Sequence, residues 1–194
     1  SVVFGDGWSY PLAGRLGLSG NEVVFLFPGG IRMVKNPLFP QVPLERLVPR
    51  FPHLRLVYAG PILDPEEGDR LLKALAGRRW ADHLGTVPHN QMRSLLEASD
   101  VVLNCSLSEG GMANSVLEAM TCARAVLASD IEGNRSLVED GVTGFRFKGP
   151  EEFEDKAVRL LGDPGLRRSL GLAGQTRVRA FYSLERELEG YLAQ

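Results

Sequence analysis

The sequence predicts an α/β protein built on one doubly wound parallel sheet of about six strands, with helices on both faces and a helical C-terminal tail. Short apolar runs alternate with longer amphipathic segments along the chain. The apolar runs are continuous, which is typical of strands that are covered on both faces. Glycine and polar residues gather directly after these runs, where an open parallel sheet binds its ligands.

Six apolar runs are interpreted as the strands of this sheet. The first, EVVFLF, is closed by a Pro-Gly-Gly sequence. The third, HLGTV, is the weakest of the set. The predicted strands span residues 22–27, 54–60, 83–87, 100–106, 125–129 and 144–147.

The segments between the strands have the apolar spacing and the start signals of helices. Asn90 and Asn114 are good N-cap residues, and Pro150 is followed by acidic residues, as helix starts prefer. Prolines in the segment 37–52 confine its helix to about residues 43–48. The other predicted helices span residues 66–78, 90–99, 114–122 and 150–163, and the tail 164–194 is helical with a break near Ser183.

The length of 194 residues is enough for one well-buried domain. Residues 1–20 lack the basic start and long apolar stretch of a secretory signal, and are interpreted as a linker or a truncated N-terminal part. We assign residues 21–163 to the α/β domain and residues 164–194 to a helical tail of the same domain. A tail of this length must pack on something.

Composition excludes several classes of protein. A net charge of −2 does not resemble the basic surface of a nucleic-acid-binding protein, and no apolar run is long enough to span a membrane. Cys105 and Cys122 lie in apolar surroundings, which predicts thiols in a reducing compartment and a cytoplasmic protein. No residues have the spacing of metal ligands, so we expect no bound metal.

The stretch SEGGMANSVLEAM, residues 108–120, has the features of a site for a long anionic ligand. Gly110 and Gly111 allow a ligand to approach bare backbone, and the start of the following helix favours phosphate. Glu109 and Glu118 could lie on the order of 10 Å apart, a span comparable to a nucleoside diphosphate sugar. Each carboxylate accepts hydrogen bonds from vicinal hydroxyls. The alternative, a loop charge and a solvated helix residue, stays open.

Two further loops carry candidate ligand groups. Arg32 and Lys35 follow the first strand, where two cations can neutralise a diphosphate, although they can equally be surface charges. Neither a P-loop sequence nor a dinucleotide-binding glycine pattern is present. The turn around Val87 can offer backbone groups to a planar base. His89 in the same turn is a candidate general base, although a single histidine there is more typical of an exposed residue.

These stretches resemble the nucleotide-binding domain of the group 1 glycosyltransferases. SEGGMANSVLEAM is followed by AVLASDIEGNRSLVEDGVTGF, and the segments GGIRMVKNP and LGTVPHNQMRSLLEASDVVLNCS match in order and spacing. The resemblance covers roughly residues 20–190. It implies a retaining, metal-independent enzyme in which two Rossmann-like domains face each other, the GT-B fold, with this chain as one half.

The resemblance implies a role for each matching position. Glu109 would contact hydroxyls of the donor sugar, and Glu118 would hold the ribose hydroxyls. Arg32 and Lys35 would bind the diphosphate and stabilise it as it leaves, which makes Arg32, Lys35 and Glu109 the expected catalytic residues. The nucleoside diphosphate sugar is the substrate, and no cofactor is expected. The other expected substrate-binding residues, several of them through backbone groups, are Gly30, Val87, Gly110, Gly111, Met112, Ala113, Asn114 and Ser115.

The chain departs from the family pattern at three places. Eight residues separate Glu109 from Glu118, one more than is usual, and the glycine pair is the expected insertion. Only two residues separate Arg32 from Lys35, which is closer than is common. Glu132 stands where a second glycine is frequent.

The family's acceptor-binding domain precedes the domain seen in this sequence. Only some twenty residues precede the first strand, so we expect either a fragment or a stand-alone module. Without that domain, the tail is expected to pack loosely or to pair with another copy in a homo-oligomer.

The implied function is the donor-binding half of a retaining glycosyltransferase that transfers a hexosyl group to an unknown acceptor. This half alone is expected to bind nucleotide sugar and to be inactive. Two alternatives stay open, a non-catalytic nucleotide-sugar-binding or regulatory module and a nucleotide-sugar epimerase. The second needs an acid–base group at the sugar, for which His89 is the candidate.

Overall fold

A computed structural model describes residues 10–181 of the chain. Its centre is a sheet of six parallel strands in the order β3-β2-β1-β4-β5-β6. The strands are β1 Val23–Pro28, β2 Leu54–Ala59, β3 Ala81–His83, β4 Val101–Asn104, β5 Ala125–Ser129 and β6 Phe145–Phe147. This confirms the predicted doubly wound parallel sheet.

Helices cover both faces of the sheet, as the sequence predicts. They are α1 Leu12–Leu16, α2 Gln41–Leu47, α3 Pro65–Leu75, α4 His89–Glu97, α5 Asn114–Thr121, α6 Glu132–Arg135, α7 Pro150–Gly162 and α8 Pro164–Phe181, with a short 3-10 turn at Met33–Lys35. In the described part of the chain, none of these helices is long and apolar enough to cross a membrane. The predicted break near Ser183 lies outside the described residues.

Strand β1 is apolar throughout because it contributes to two cores. In β1, Phe25 and Phe27 pack on one face of the sheet with residues of α2, α3 and α7. Val24 and Leu26 point to the other face, where α1, α4, α5 and α8 contribute. Alternate side chains of a strand point to opposite faces, so a strand between two helix layers needs no polar side.

The third strand differs from its prediction. The sequence places it at residues 83–87, whereas β3 is Ala81–His83. Leu84 still donates a backbone hydrogen bond to Tyr58 of β2, and Gly85 accepts one from Gly60. The left-handed backbone of Gly85, with φ of +72°, then turns the chain towards α4. Leu84 and Val87 are apolar because they are buried in the core around α4. The apolar pattern of residues 83–87 therefore reflects burial in this core rather than a strand with those bounds.

Helix starts also differ in detail from their predictions. Asn90 lies inside α4, whose N-cap is Pro88, and Asn114 is the first residue of α5, whose N-cap is Ala113. Asp64 is a true cap, since its carboxylate accepts hydrogen bonds from the backbone at the start of α3. The short helices α1 and α6 had no prediction, and α1 lies in the stretch interpreted as a linker.

Helix α8 packs closely on the edge of the α/β core. Leu170 and Val178 are buried, and the Gln175 amide donates a hydrogen bond of 2.8 Å to the Thr121 carbonyl. Gly171 allows the closest approach, because a Cβ there would lie 2.1 Å from the carbonyl oxygen of Ala123. Backbone meets backbone at this point, so no side chain can move aside.

We predict that Gly171→Ala destabilises the protein by about 1–3 kcal/mol, as overpacking does when the neighbouring atoms cannot yield. Thermal unfolding should show a lower Tm than that of the wild type. Gly162→Ala, at the end of α7 with open space around it, is the matched control and should be close to neutral. Equal effects of the two changes would contradict the close packing of α8.

Candidate functional site

The candidate site lies where the strand order reverses. From β1 the chain proceeds outward to β2 and β3, and it then returns to add β4 on the other side of β1. The loops after β1 and β4 therefore leave neighbouring strands in opposite directions, which opens a crevice at the carboxyl edge of the sheet. Residues 29–35 and 105–113 form these two loops.

The two loops are joined by their backbones. The Leu107 N–H donates a hydrogen bond of 2.9 Å to the carbonyl of Val34, inside the 3-10 turn that follows β1. Asn36 ends that turn in a left-handed conformation, with φ of +52°. Because the turn is docked on the loop after β4, Lys35 is carried towards that loop.

Lys35 and Glu109 form an ion pair at the centre of the crevice. The Lys35 Nζ lies 2.5 Å from Oε1 of Glu109, and the two side chains are only 19% and 13% exposed. The Ser106 hydroxyl and the Asn104 amide donate to the same oxygen at 2.7 and 3.2 Å. Burial alone would raise the pKa of Glu109, but these three donors outweigh it and hold the pKa below its usual value.

The other oxygen of Glu109, Oε2, accepts no hydrogen bond from another residue of the range 10–181. Glu109 borders an open cavity of about 410 Å³, large enough for part of a small polar ligand. The cavity is lined by Glu109, Gly110, Gly111, Met112, Glu132, Gly133 and Ser136. The predicted residues 109–112 thus form one side of this opening, and residues 132–136 form the other.

Helix α6 holds the glycine loop from behind. A Cβ at Gly133 would lie 2.3 Å from the carbonyl oxygen of Gly111 and 2.9 Å from Cβ of Glu109. The loop therefore rests directly on the backbone of α6. Gly110 and Gly111 are exposed, whereas Ala113 is buried as the N-cap of α5.

The second predicted carboxylate lies in different surroundings. Glu118 is in the second turn of α5 and is partly buried, and this burial raises its pKa. The charge of His89, at the start of α4, partly offsets the effect. Val87 is buried two residues before His89. Glu118, His89 and Val87 thus belong to the α4–α5 side of the site, and Lys35 and Glu109 to its centre.

The remaining predicted residues border these two groups. Arg32 is exposed just before the 3-10 turn, and its guanidinium makes no hydrogen bond or ion pair with another described residue. Gly30 lies against Leu63, whose exposed side chain would have to shift to admit a Cβ, since that atom would lie 2.3 Å from its Cδ1. Asn114 is exposed, and the Ser115 hydroxyl accepts a hydrogen bond of 3.3 Å from Asn104.

Four buried polar residues were missed in the sequence. Asn104, Ser106, Ser129 and Asn134 lie beneath Glu109 and are linked by hydrogen bonds. A polar side chain at the end of an otherwise apolar strand, as in VVLNCS, was the available signal.

A larger cleft of about 560 Å³ lies beside β6 and α7 and is lined mainly by charged residues. Lys156 pairs there with Asp140 at 3.1 Å, and Arg146 with Asp130 at 3.5 Å. Cations and carboxylates alternate in this cleft and two pairs of them are in contact, so we assign no ligand to it. Within residues 10–181, no group of three or more His, Cys, Asp or Glu is placed to hold a metal ion. The metal independence implied above stays a prediction.

The fold is a Rossmann-like α/β domain, and its crevice lies at the strand reversal, where such domains bind their ligands. Residues 22–163 match the family model described as glycosyl transferases group 1, and the chain belongs to this family. The resemblance stated from the sequence is thereby confirmed, as is the class of protein, a glycosyltransferase domain of the GT-B fold.

Individual relatives agree with this family. Glycosyltransferase 1 domain-containing protein 1 of Xenopus tropicalis is 30% identical over 176 residues, which cover 89% of this chain and 50% of that protein. D-inositol 3-phosphate glycosyltransferase of Kribbella flavida is 28% identical over 191 residues, or 92% of this chain and 45% of that protein. The chain therefore spans about half the length of the curated relatives it matches.

A solved structure shows the same fold. HepE of Anabaena, crystallised in complex with UDP, superposes with a TM-score of 0.82 at 19% identity, covering 94% of this chain and 51% of that one.

We predict that Glu109→Gln destabilises the ligand-free protein by about 1–2 kcal/mol at pH 7, since it removes a charged acceptor of three hydrogen bonds. The folded-state pKa of Glu109 is lowered, so its stabilising effect is present above the unfolded-state pKa. The effect is lost as the pH falls through the folded-state pKa. Urea unfolding at several pH values should therefore show that the free energies of unfolding of the wild type and Glu109→Gln become equal at acidic pH.

We predict the opposite sign for Glu118→Gln, which should stabilise the ligand-free protein at pH 7 by about 0.5–1 kcal/mol. The pKa of Glu118 is raised by burial, so its charged form is disfavoured in the folded state once the pH exceeds the unfolded-state pKa. The gain should vanish below that pKa in the same urea series. A loss of stability at pH 7 would contradict a desolvated carboxylate.

Proposed function

We propose that this chain is the donor-binding half of a retaining glycosyltransferase, which transfers a hexosyl group from a nucleoside diphosphate sugar to an acceptor. One observation carries the proposal. Lys35 and Glu109, from the loops after neighbouring strands, meet at 2.5 Å in the crevice where the strand order reverses. A cation and a carboxylate side by side suit a ligand in which a phosphate adjoins a sugar.

The cationic part of the site is suited to the diphosphate. When the bond between the sugar carbon and the phosphate oxygen breaks, the diphosphate leaves with the electron pair and gains negative charge. Lys35 and the exposed Arg32 would stabilise that charge, together with the backbone amides in the first turn of α5. Such groups lower the barrier because they are already in place before the reaction.

The two carboxylates suit the two sugar rings of such a donor. Oε2 of Glu109 would accept hydrogen bonds from hydroxyls of the transferred sugar, beside the backbone of Gly110, Gly111, Met112 and Ala113. Glu118 would accept hydrogen bonds from the ribose, whose hydroxyls would offset its loss of solvent. The backbone around Val87 would contact the base, while Gly30, Asn114 and Ser115 would line the diphosphate.

The comparisons support a nucleotide sugar as the ligand. HepE, which has this fold, has been crystallised with UDP and with UDP-glucose. The relatives are about twice as long as this chain. We therefore propose that a second domain binds the acceptor and that this half alone has no transferase activity. A cytoplasmic location, independence from metals and cofactors, and self-association through the C-terminal helices belong to the same proposal.

Of the alternatives, the epimerase needs an acid–base group at the transferred sugar. His89 lies instead close to Glu118, at the nucleoside end of the proposed site. This favours transfer over epimerisation.

Thermal-shift and calorimetric titrations with UDP, GDP, ADP and their hexose derivatives test the proposal. We expect one base to bind with a submillimolar Kd, and at 100 times Kd the ligand should add about 2.7 kcal/mol of stability. Arg32→Glu should lower the affinity for that nucleotide at least tenfold, which is the effect expected from the loss of one or two hydrogen bonds to a charged group. Arg79→Glu, an exposed position just before β3, is the matched control with the same change in charge.

Two results would overturn the proposal. One is the absence of binding below millimolar for every nucleotide tested. The other is an equal loss of affinity in the Arg32 and Arg79 variants, which would show that only the overall charge of the protein matters.

A further inference from the structure

Four polar residues are buried directly beneath Glu109. Asn104 is the last residue of β4, Ser106 follows it, Ser129 ends β5, and Asn134 lies in α6. All four are less than a tenth exposed in a core that is otherwise apolar. We call them the asparagine–serine cluster. Burying so many polar groups is unfavourable unless each has partners, so their arrangement is strongly constrained.

The side-chain amide of Asn104 can take only one orientation. Its Oδ1 accepts from the Ser106 N–H at 3.1 Å and from the Asn134 amide at 3.3 Å. Its Nδ2 donates to Oε1 of Glu109 at 3.2 Å and to the Ser115 hydroxyl at 3.3 Å. A half-turn of the amide would set its oxygen against the carboxylate and its hydrogens against other donors, breaking these contacts.

Asn134 fixes that orientation from α6. Its amide nitrogen also lies 2.9 Å from the Ser129 carbonyl and 3.2 Å from the Ser129 hydroxyl, which in turn donates to the Ser106 carbonyl at 2.6 Å. Asn134 is fully buried, yet its Oδ1 has no hydrogen-bond partner among the described residues. A leucine would fill this place without an unsatisfied oxygen, so packing alone does not account for the asparagine.

We propose that Asn104 and Asn134 are positioning residues for Glu109. They hold Oε1 of Glu109 from below together with Ser106 and Lys35, and thereby direct Oε2 to the sugar of the donor. Asn134 acts through Asn104, and neither residue touches the substrate. This role rests on the proposed function, because it requires Glu109 to bind the sugar of the donor. The nucleotide is bound by other residues.

The first test measures the Glu109 carboxylate itself and needs no ligand. The protein is labelled at its glutamate carboxyl carbons, the Glu109 signal is assigned with Glu109→Gln, and its pKa is followed by NMR. Asn134→Leu should raise the pKa of Glu109, because Asn104 is then free to turn its donor away. Lys35, which contacts Glu109, and Glu132, which lines the same cavity, are unchanged in every variant.

Ser99→Ala is the matched control for this titration. Ser99 is equally buried, and its hydroxyl donates at 2.7 Å to the Leu96 carbonyl at the end of α4, outside the cluster. Its loss should lower the Tm without moving the pKa of Glu109. A purely structural role of Asn134 would give the same outcome as this control, and that outcome would overturn the proposal.

The second test compares two ligands on the wild type and Asn134→Leu. The nucleotide sugar that binds best is titrated beside its nucleoside diphosphate. Affinity for the nucleotide sugar should fall about tenfold, as for the loss of one hydrogen bond to a charged group, while affinity for the diphosphate stays unchanged. An equal loss for both ligands, or none, would contradict the positioning role.

A measurement on the wild-type protein tests the proposal even if Asn134→Leu does not fold. The side-chain NH₂ signals of Asn104 should shift with the same pKa as the Glu109 carboxylate, since the two groups share a hydrogen bond. If these wild-type signals do not shift with that pKa, the proposal is overturned. Absence of any nucleotide binding would overturn the proposed function alone, because both NMR measurements would still report on Glu109.

Discussion

The reversal of strand order between β1 and β4 is the constraint on which the rest of the site depends. Loops that leave adjacent parallel strands towards opposite sides cannot close over the strand ends. Lys35 and Glu109 are 74 residues apart in sequence, yet they share a hydrogen bond in that gap. The backbone bond between Leu107 and Val34 fixes the two loops to each other, so the ion pair follows from the topology and not from local sequence.

The pKa values of the two carboxylates of the site are shifted in opposite directions. Glu109 is surrounded by donors, which favour its charged form even though it is mostly buried. Glu118 loses solvent without comparable donors, which disfavours its charge. Glu109 already has hydrogen-bond donors from the protein, and Glu118 would gain from donors brought by a ligand. This difference matches the separate tasks proposed for the sugar and the ribose.

Much of the fold could be predicted because the long strands are largely apolar on both faces. The short β3 was misplaced because Leu84 and Val87, which follow it, are apolar through burial in the core around α4. The loops of the site were also foreseeable, from charges and glycines that follow strands. The pairing of Lys35 with Glu109 was not, since both were assigned to different parts of the ligand. Asn104, at the end of β4, and Asn134, in α6, were missed because a single sequence does not show that these two amides are buried against each other.

The contact between Gly133 and the carbonyl of Gly111 limits how the loop after β4 can move. The backbone of α6 blocks movement of the loop towards the sheet, so the loop can move only outward. Gly110 and Gly111 have open space on the outer side and can flex there without collision. The inner side of the cavity is therefore formed by two backbones in direct contact, whereas its outer side is formed by glycines with open space around them.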